Sequence, residues 1–559
     1  MVTTCYKNNS NTKPVLLSGE RTATRSRRLA SKTLEAIISL RCALSALIIA
    51  AMLLNHALSA IRTWLALCVL MGLASATALM GHNAVAQTLP PEVDALLARA
   101  KVPREALSAI VVDATPVISG RKAGLAEPLL NYRANVYRNP ASVMKLVTTY
   151  AGLELLGPAY TWSTPVYING TITGGVLQGN LIIQGKGDPK LVLERLWLLM
   201  RRVQGLGIKT ITGDILLDRS AFALTPQNPA DFDGEPLRPY NAAPDALLIN
   251  YKSVVMIFSP QYANGQARIS FEPPLANVHM QSSVPLATSG KAGAALADCG
   301  DYRGGLMADF SDPFRIRFKG SYPPACGEKI WPIAYADPAS YAERAVLGMW
   351  QDMGGQLGGR VREGRAPENL KSAFDMVSPT LAEVIRDINK YSNNVMAQQL
   401  FLTLSLNPPS LQTLAGSGIA SKEASRDVVD KWWRERFGDQ DLPVLDNGSG
   451  LSRQERLMPQ GLARMLQTAY VSGVMPELIA SLPIAGVDGT LRRSKSRGVH
   501  GTAHLKTGAL NDVTALAGYV HTASGRPLVV VGIINHPNAP AARPALEALV
   551  DWALKEGRQ

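Results

Sequence analysis

The sequence predicts an α+β fold: one antiparallel sheet covered by helices, with a large β-rich insertion set into it. Three observations carry this. Strand-like apolar runs stand near both ends of the globular part, at residues 109–136 and 502–535. Helical patterns follow each of those groups. Between about 160 and 370 the texture changes to short β-like runs separated by Gly, Pro and Asn clusters.

The elements follow in order. Pro91–Ala100 reads as a short helix, Ala109–Ala114 as an apolar strand, and Leu129–Val136 as a second, alternating strand. Asn139-Pro140 then starts a helix, Asn as the N-cap and Pro at the first helical position. It runs to about Leu156 and stops at Gly157-Pro158. In the middle segment, Val176–Gln184 and Ile211–Leu217 read as strands, and Pro226–Pro244 as a long irregular stretch. Gly179–Ile183 and Gly213–Leu217 look alike and read as two similar hairpin strands, with no solenoid period. Helical texture returns at Ser378–Asp387, with Leu381, Val384, Ile385 and Ile388 on one face, and continues at 394–405, 424–436 and 459–470. Thr502–Leu510, Thr514–Thr522 and Pro527–Asn535 read as three closing strands, and Ala541–Glu556 as an amphipathic helix. The expected division is 1–86 as leader, 87–165 and 371–559 as two parts of the sheet-and-helix unit, and 166–370 as the insertion.

The net charge of +13 is unevenly placed. Residues 1–86 hold nine Lys/Arg against two Glu, leaving +6 for the other 473 residues. That remainder reads as a mildly basic solvated surface without a dense Lys/Arg run, so no nucleic-acid partner is expected. The leader reads as an export segment. Arg62, the apolar run Trp64 to Met80 and then Ala84-Val85-Ala86 give a positive flank, an apolar region and a small-x-small site, with cleavage expected after Ala86. A second apolar run, Ala43–Leu54, precedes it. Either translation starts downstream, for example at Met52, or this run is retained as a membrane anchor. Leu67 before Cys68 is too large for a lipoprotein site.

Cys5, Cys42 and Cys68 would leave with the leader, so Cys299 and Cys326 remain as an even pair. In an oxidising compartment they are expected to form a disulfide. The alternative is two free buried thiols. No metal or other cofactor is expected: the seven histidines form no His-Glu-x-x-His motif.

Three short patterns carry chemistry. Ser142 and Lys145 sit three apart on a predicted helix and share a face, among Val143, Met144, Leu146 and Val147. A lysine buried there is favoured as the neutral amine, the form that takes a proton from a serine hydroxyl. The bare Ser-x-x-Lys pattern is weak evidence, since about two copies are expected by chance in a chain this long. Ser392-Asn393-Asn394 lies between two helices; Ser392 is a candidate proton relay and Asn394 a candidate partner of Lys145 and of substrate backbone. Ser and Asn at such a junction also serve as plain caps. Lys506-Thr507-Gly508 lies on a predicted strand, with Lys506 and Gly508 on one face. Lys506 there is suited to hold a carboxylate, and Gly508 opens the strand to a substrate backbone.

In this order, Ser-x-x-Lys, Ser-x-Asn and Lys-Thr-Gly resemble the motif set of the penicillin-recognising acyl-serine enzymes. The spacings, 250 residues from Ser142 to Ser392 and then 114 to Lys506, are similar to those of the class C low-molecular-mass penicillin-binding proteins, the D-Ala-D-Ala carboxypeptidases/endopeptidases. Gly185-Lys186-Gly187-Asp188-Pro189, Asp446 to Arg453, and Ala485 to Leu491 also look like segments of that family.

The resemblance implies a β-lactamase/transpeptidase-like domain and a periplasmic hydrolase acting on peptidoglycan stem peptides through an acyl-enzyme, with β-lactams as inhibitors. Ser142 would be the nucleophile, Lys145 the base, Ser392 and Asn394 its helpers, and Lys506 and Thr507 the carboxylate site. The backbone N–H groups of Ser142 and Ala509 would form the oxyanion hole. Relatives carry Thr or Ser where this chain has Ala509, which bears on substrate preference. An acidic residue of the insertion is also implied near the site, with Asp231, Asp233 and Glu235 as candidates. The alternatives are a β-lactamase or esterase on the same scaffold, or a non-catalytic cell-wall binding protein. The sequence does not specify the oligomeric state.

Overall fold

The computed structural model describes residues 88–119, 122–288, 298–406, 418–494 and 498–556. The expected leader, its cleavage site and Cys5, Cys42 and Cys68 lie outside them.

In chain order the sheet-and-helix unit begins with α1 (Pro91–Arg99), β1 (Leu107–Asp113), β2 (Leu130–Tyr132) and α2 (Lys145–Leu155). The middle segment opens with β3 (Ser163–Thr173) and β4 (Val176–Gln184), then α3 (Leu193–Gly205) and β5 (Ile215–Asp218). It closes with β6 (Phe374–Val377). There follow α4 (Leu381–Lys390), α5 (Asn394–Leu406), α6 (Lys422–Phe437) and α7 (Pro459–Tyr470). Three strands, β7 (Ala503–Leu510), β8 (Val513–His521) and β9 (Pro527–Asn535), precede the last helix, α8 (Arg543–Glu556).

The sheet-and-helix unit is built on a five-stranded antiparallel sheet in the order β7-β8-β9-β1-β2. Side chains alternate across it. Ile110 and Val112 of β1, with Val529, Val531 and Ile533 of β9, enter the core shared with α2, α4, α5 and α7. Ala109 and Val111, with Leu528, Val530 and Ile534, face α1 and α8 on the other side. Burial on both faces explains why β9 is apolar almost throughout instead of alternating. β7 is the edge strand. Its first half is covered where Leu505 N bonds Pro483 O and Ala485 N bonds Ala503 O.

The middle segment holds a separate apolar core around a seven-stranded and a four-stranded sheet. Its first strand and its last are neighbours: β6 pairs β3 antiparallel, Phe374 opposite Val166. The chain thus leaves and re-enters at one place. Within this core Cys299 and Cys326 are joined as a disulfide.

Two sequence readings are corrected. The look-alike segments are parallel neighbours, Leu181 opposite Ile215, linked across α3 as a β-α-β unit; only β4 belongs to a hairpin, with β3. The expected strand Leu129–Val136 is cut to three residues, because Arg133 turns to φ +51° and Val136 N bonds back to Arg133 O.

Candidate active site

The helix bearing Ser142 does not begin as plain α-helix. Asn139 Oδ1 accepts from Ala141 N at 2.9 Å, Ala141 takes φ +46°, and Ala141–Met144 form a 3₁₀ turn that runs into α2. In a 3₁₀ turn residues i and i+3 eclipse, so Lys145 stacks over Ser142 more closely than an α-helix would allow. Lys145 Nζ stands 3.0 Å from Ser142 Oγ.

Two glycines let other segments press against this turn. A Cβ on Gly508 would lie 2.5 Å from Pro140 O and 3.1 Å from Ser142 N. A Cβ on Gly450, at φ +81°, would lie 1.9 Å from Ala141 O. Sequence reasoning gave Gly508 to the substrate; the structure shows it also packed against the backbone of Pro140 and Ser142.

Lys145 is fully buried. Besides Ser142 Oγ, its Nζ donates to Asn394 Oδ1 at 2.6 Å and to the carbonyl of Ser449. Burial pushes its pKa well below the ordinary lysine value; the Lys506 charge pushes it further, and Glu455 opposes. The two carbonyls can only accept, which uses both N–H bonds of a neutral amine. The lone pair is then left for the Ser142 hydroxyl, the arrangement general-base activation needs.

Ser392 occupies a costly conformation. Asn393 N bonds Ile388 O at 3.1 Å, closing α4 with Ser392 at φ +56°, a position that favours glycine. Asn393 Oδ1 then caps α5 by accepting from Met396 N at 3.1 Å. The junction is thus a pair of caps, yet it turns Ser392 Oγ toward Lys506 Nζ, 2.9 Å away. Lys506 is also fully buried, bonds Thr507 O at 2.8 Å, and meets no carboxylate among the described residues. Burial lowers its pKa to about 7. Asn394 Nδ2 donates to Tyr240 O at 3.1 Å, which brings the irregular stretch of the middle segment to the site. Of the three acidic candidates there, Asp233 is bound to that stretch, through Tyr240 Oη and Asn241 Nδ2. Asp231 and Glu235 have no recorded bond to the site residues.

Sequence reasoning missed several supports. The Asp446–Arg453 segment was singled out, but not its anchor. Glu455, fully buried, accepts on Oε1 from Asp446, Asn447 and Gly448 N at 3.2, 3.1 and 2.8 Å. Among the described residues its Oε2 has no hydrogen-bond partner, and burial raises its pKa. This loop sets the Ser449 carbonyl on Lys145. Likewise Lys390 Nζ pairs Asp488 Oδ2 at 2.6 Å, and Thr490 Oγ1 lies 2.8 Å from Thr507 Oγ1. The acidic partner of a lysine and the x-Thr-Leu after Asp488 were the available signals. His504 and His521 pack ring against ring, centroids 5.6 Å apart. One charge reading is also corrected: four of the six residues 492–497 are Lys or Arg, a dense run hidden by the even overall count.

The chain matches the family described as D-Ala-D-Ala carboxypeptidase 3 (S13) over residues 93–556. It is 26% identical over 421 residues to the D-alanyl-D-alanine carboxypeptidase DacB of Haemophilus influenzae, covering 73% of this chain and 82% of that one. It is 27% identical over 497 residues to a D-alanyl-D-alanine carboxypeptidase of Actinomadura sp., covering 84% and 87%. Among solved structures, penicillin binding protein 4 from Haemophilus influenzae superposes with a TM-score of 0.61 at 23% identity, over 82% of this chain and all of that one.

Proposed function

The chain belongs to the D-Ala-D-Ala carboxypeptidase 3 (S13) family, and from that premise we propose how its residues divide the reaction. It is a serine-type D-Ala-D-Ala carboxypeptidase/endopeptidase of the class C low-molecular-mass penicillin-binding proteins, acting on peptidoglycan peptides.

Ser142 Oγ attacks the carbonyl of the penultimate D-alanine, and its proton passes to Lys145 Nζ. The oxyanion is held by the N–H groups of Ser142 and Ala509. The N–H of Ser142 lies in the first turn of a helical segment, where such groups lack intrahelical partners. As the C–N bond breaks, Ser392 Oγ gives its proton to the leaving amine and takes up the one Lys145 received, so Lys145 is again the neutral amine. Water then attacks the acyl-enzyme, releasing the acid and restoring the Ser142 hydroxyl. Lys506 and Thr507 hold the carboxylate of the leaving residue. Asn394 keeps Lys145 in place.

The observation that carries this reading is the set of contacts around Lys145: two carbonyl acceptors and one hydroxyl, which suit a neutral amine. The arrangement around Lys506 supports the anchor, since a buried cation with only two neutral acceptors gains most from a carboxylate. Residues 87–165 and 371–559 are read as the catalytic part and 166–370 as the insertion, except that β6, which pairs with β3, lies with the insertion. The protein is exported to the periplasm with its leader cleaved after Ala86, a reading supported by the disulfide. Among the described residues no helix is long and apolar enough to cross a membrane.

The test uses the purified protein with monomeric and cross-linked muropeptides, products separated by mass. Release of D-Ala, or monomers from dimers, is expected, along with labelling by a fluorescent penicillin that Ser142→Ala abolishes. Equal labelling of Ser142→Ala would sink the assignment. Fast turnover of a chromogenic cephalosporin without D-Ala release would indicate a β-lactamase instead.

A further inference from the structure

Beside the carboxylate anchor lies a cationic pocket that the mechanism does not use. The turn Gly489–Leu491 is fastened in two ways. Asp488 pairs with Lys390 and also accepts from Ile484 N at 2.8 Å. Gly489, at φ +55°, packs where a Cβ would lie 2.5 Å from Lys390 O. So fixed, the turn sets Thr490 against Thr507. A cavity of about 520 Å³ opens from it, lined by Gly489, Thr490, Arg492, Arg493 and Arg543. Arg543 Nε pairs with Glu547 Oε1 at 3.2 Å. Among the described residues Arg492 and Arg493 form no ion pair.

The position of this charge separates the two classes of substrate. In a monomeric stem peptide the leaving group is one D-alanine. Its carboxylate ends at Lys506 and Thr507, and only a methyl group lies beyond. In a cross-link the leaving group is a diaminopimelate residue that carries a whole second stem peptide, with further carboxylates. Only that substrate carries carboxylates beyond the one held at Thr507, and Thr490 with its neighbouring arginines adjoins Thr507. We infer that Arg492, Arg493 and Arg543 form a subsite for the carboxylates of the leaving stem peptide, which directs this protein toward cross-linked substrates. The subsite rests on the assignment of Lys506 and Thr507 as the anchor. Its arginines are solvent-exposed, so their effect is on binding and is weakened by salt.

The experiment compares the protein with an Arg492→Gln/Arg493→Gln double variant on a cross-linked muropeptide dimer and on a monomeric pentapeptide. The expected result is a KM for the dimer raised about three- to tenfold with kcat retained. The dimer KM of the unaltered protein should also rise with salt, and that dependence should weaken in the variant. Release of D-Ala from the monomer should not change. Equal loss on both substrates, or no loss on either, overturns the subsite. Penicillin labelling of Ser142 reports separately on the anchor and nucleophile: if the unaltered protein is not labelled, the functional assignment itself fails. Should the double variant not fold, the unaltered protein is given a dimer whose leaving-stem carboxylates are amidated. A raised KM supports the subsite and an unchanged one overturns it.

Discussion

Lys145 and Lys506 are both fully buried, and the charge of Lys506 helps to hold Lys145 in its neutral form. On the proposed assignment, one lysine is kept uncharged for proton transfer by the other, which would hold the substrate carboxylate only while protonated. With the Lys506 pKa lowered to about 7, the free protein loses this cation as pH rises through neutrality. KM for a D-Ala-terminated peptide should therefore climb above about pH 7, while kcat holds. Lys506→Met should raise KM at least tenfold and flatten that dependence. Stability should move the other way. The folded pKa lies below the unfolded one, so between about pH 7 and 10.5 the unfolded chain binds more protons and stability increases with pH. Thermal unfolding across that window should show the rise in the unaltered protein and a smaller one in Lys506→Met.

Glu455 supports Lys145 from behind. Its Oε1 collects three backbone N–H groups of the loop whose Ser449 carbonyl reaches Lys145. Glu455→Ala leaves those donors buried without an acceptor, a loss of about 2–4 kcal/mol of stability. Acylation by a fluorescent penicillin should slow at least tenfold. Glu455→Gln keeps the Oε1 acceptor and should retain most of the rate. If alanine and glutamine variants acylate alike, the loop does not depend on this oxygen.

The candidate site residues were legible because local spacing announces them: Ser142 with Lys145, Ser392 with Asn394, and Lys506 on a strand. The structure joins Ser142, Lys145 and Asn394 in one hydrogen-bonded group and Ser392 with Lys506 in another. Their supports were not legible. Glu455 acts through backbone groups seven to nine residues upstream, and Ser449 acts through its carbonyl, so neither side-chain type signals the role. The parallel pairing of β4 with β5 was hidden because similar apolar runs suit either direction of pairing. The 3₁₀ start of α2 depends on Ala141 at positive φ, which nothing in an alanine predicts.

Gly450 tests how tightly the nucleophile turn is held. It combines φ +81° with a Cβ position inside the Ala141 carbonyl, so both its backbone and its space exclude a side chain. Gly450→Ala should lower stability by about 2 kcal/mol or more and push Ser142 away from Lys145. Loss of penicillin labelling at a temperature where circular dichroism still reports a folded chain is the expected outcome. Full labelling would mean the turn has slack.

The disulfide tests whether the two cores stand or fall together. Cys299 and Cys326 close a loop of 27 residues within the apolar core of the middle segment, while Ser142 and Lys145 belong to the catalytic side. Chain-entropy reasoning puts the stabilisation at about 3.5 kcal/mol. Replacing both cysteines with serine should therefore lower the unfolding temperature of the middle segment, and reductant should do the same to the unaltered protein but not to the variant. Penicillin labelling at 25 °C should persist, since no catalytic contact passes through either cysteine. The loss could spread through several contacts: Tyr240 O with Asn394, Asp245 with Gln399, and Lys190 with Asp387. If labelling falls in step with unfolding of the middle segment, the two cores unfold as one unit, joined through these contacts.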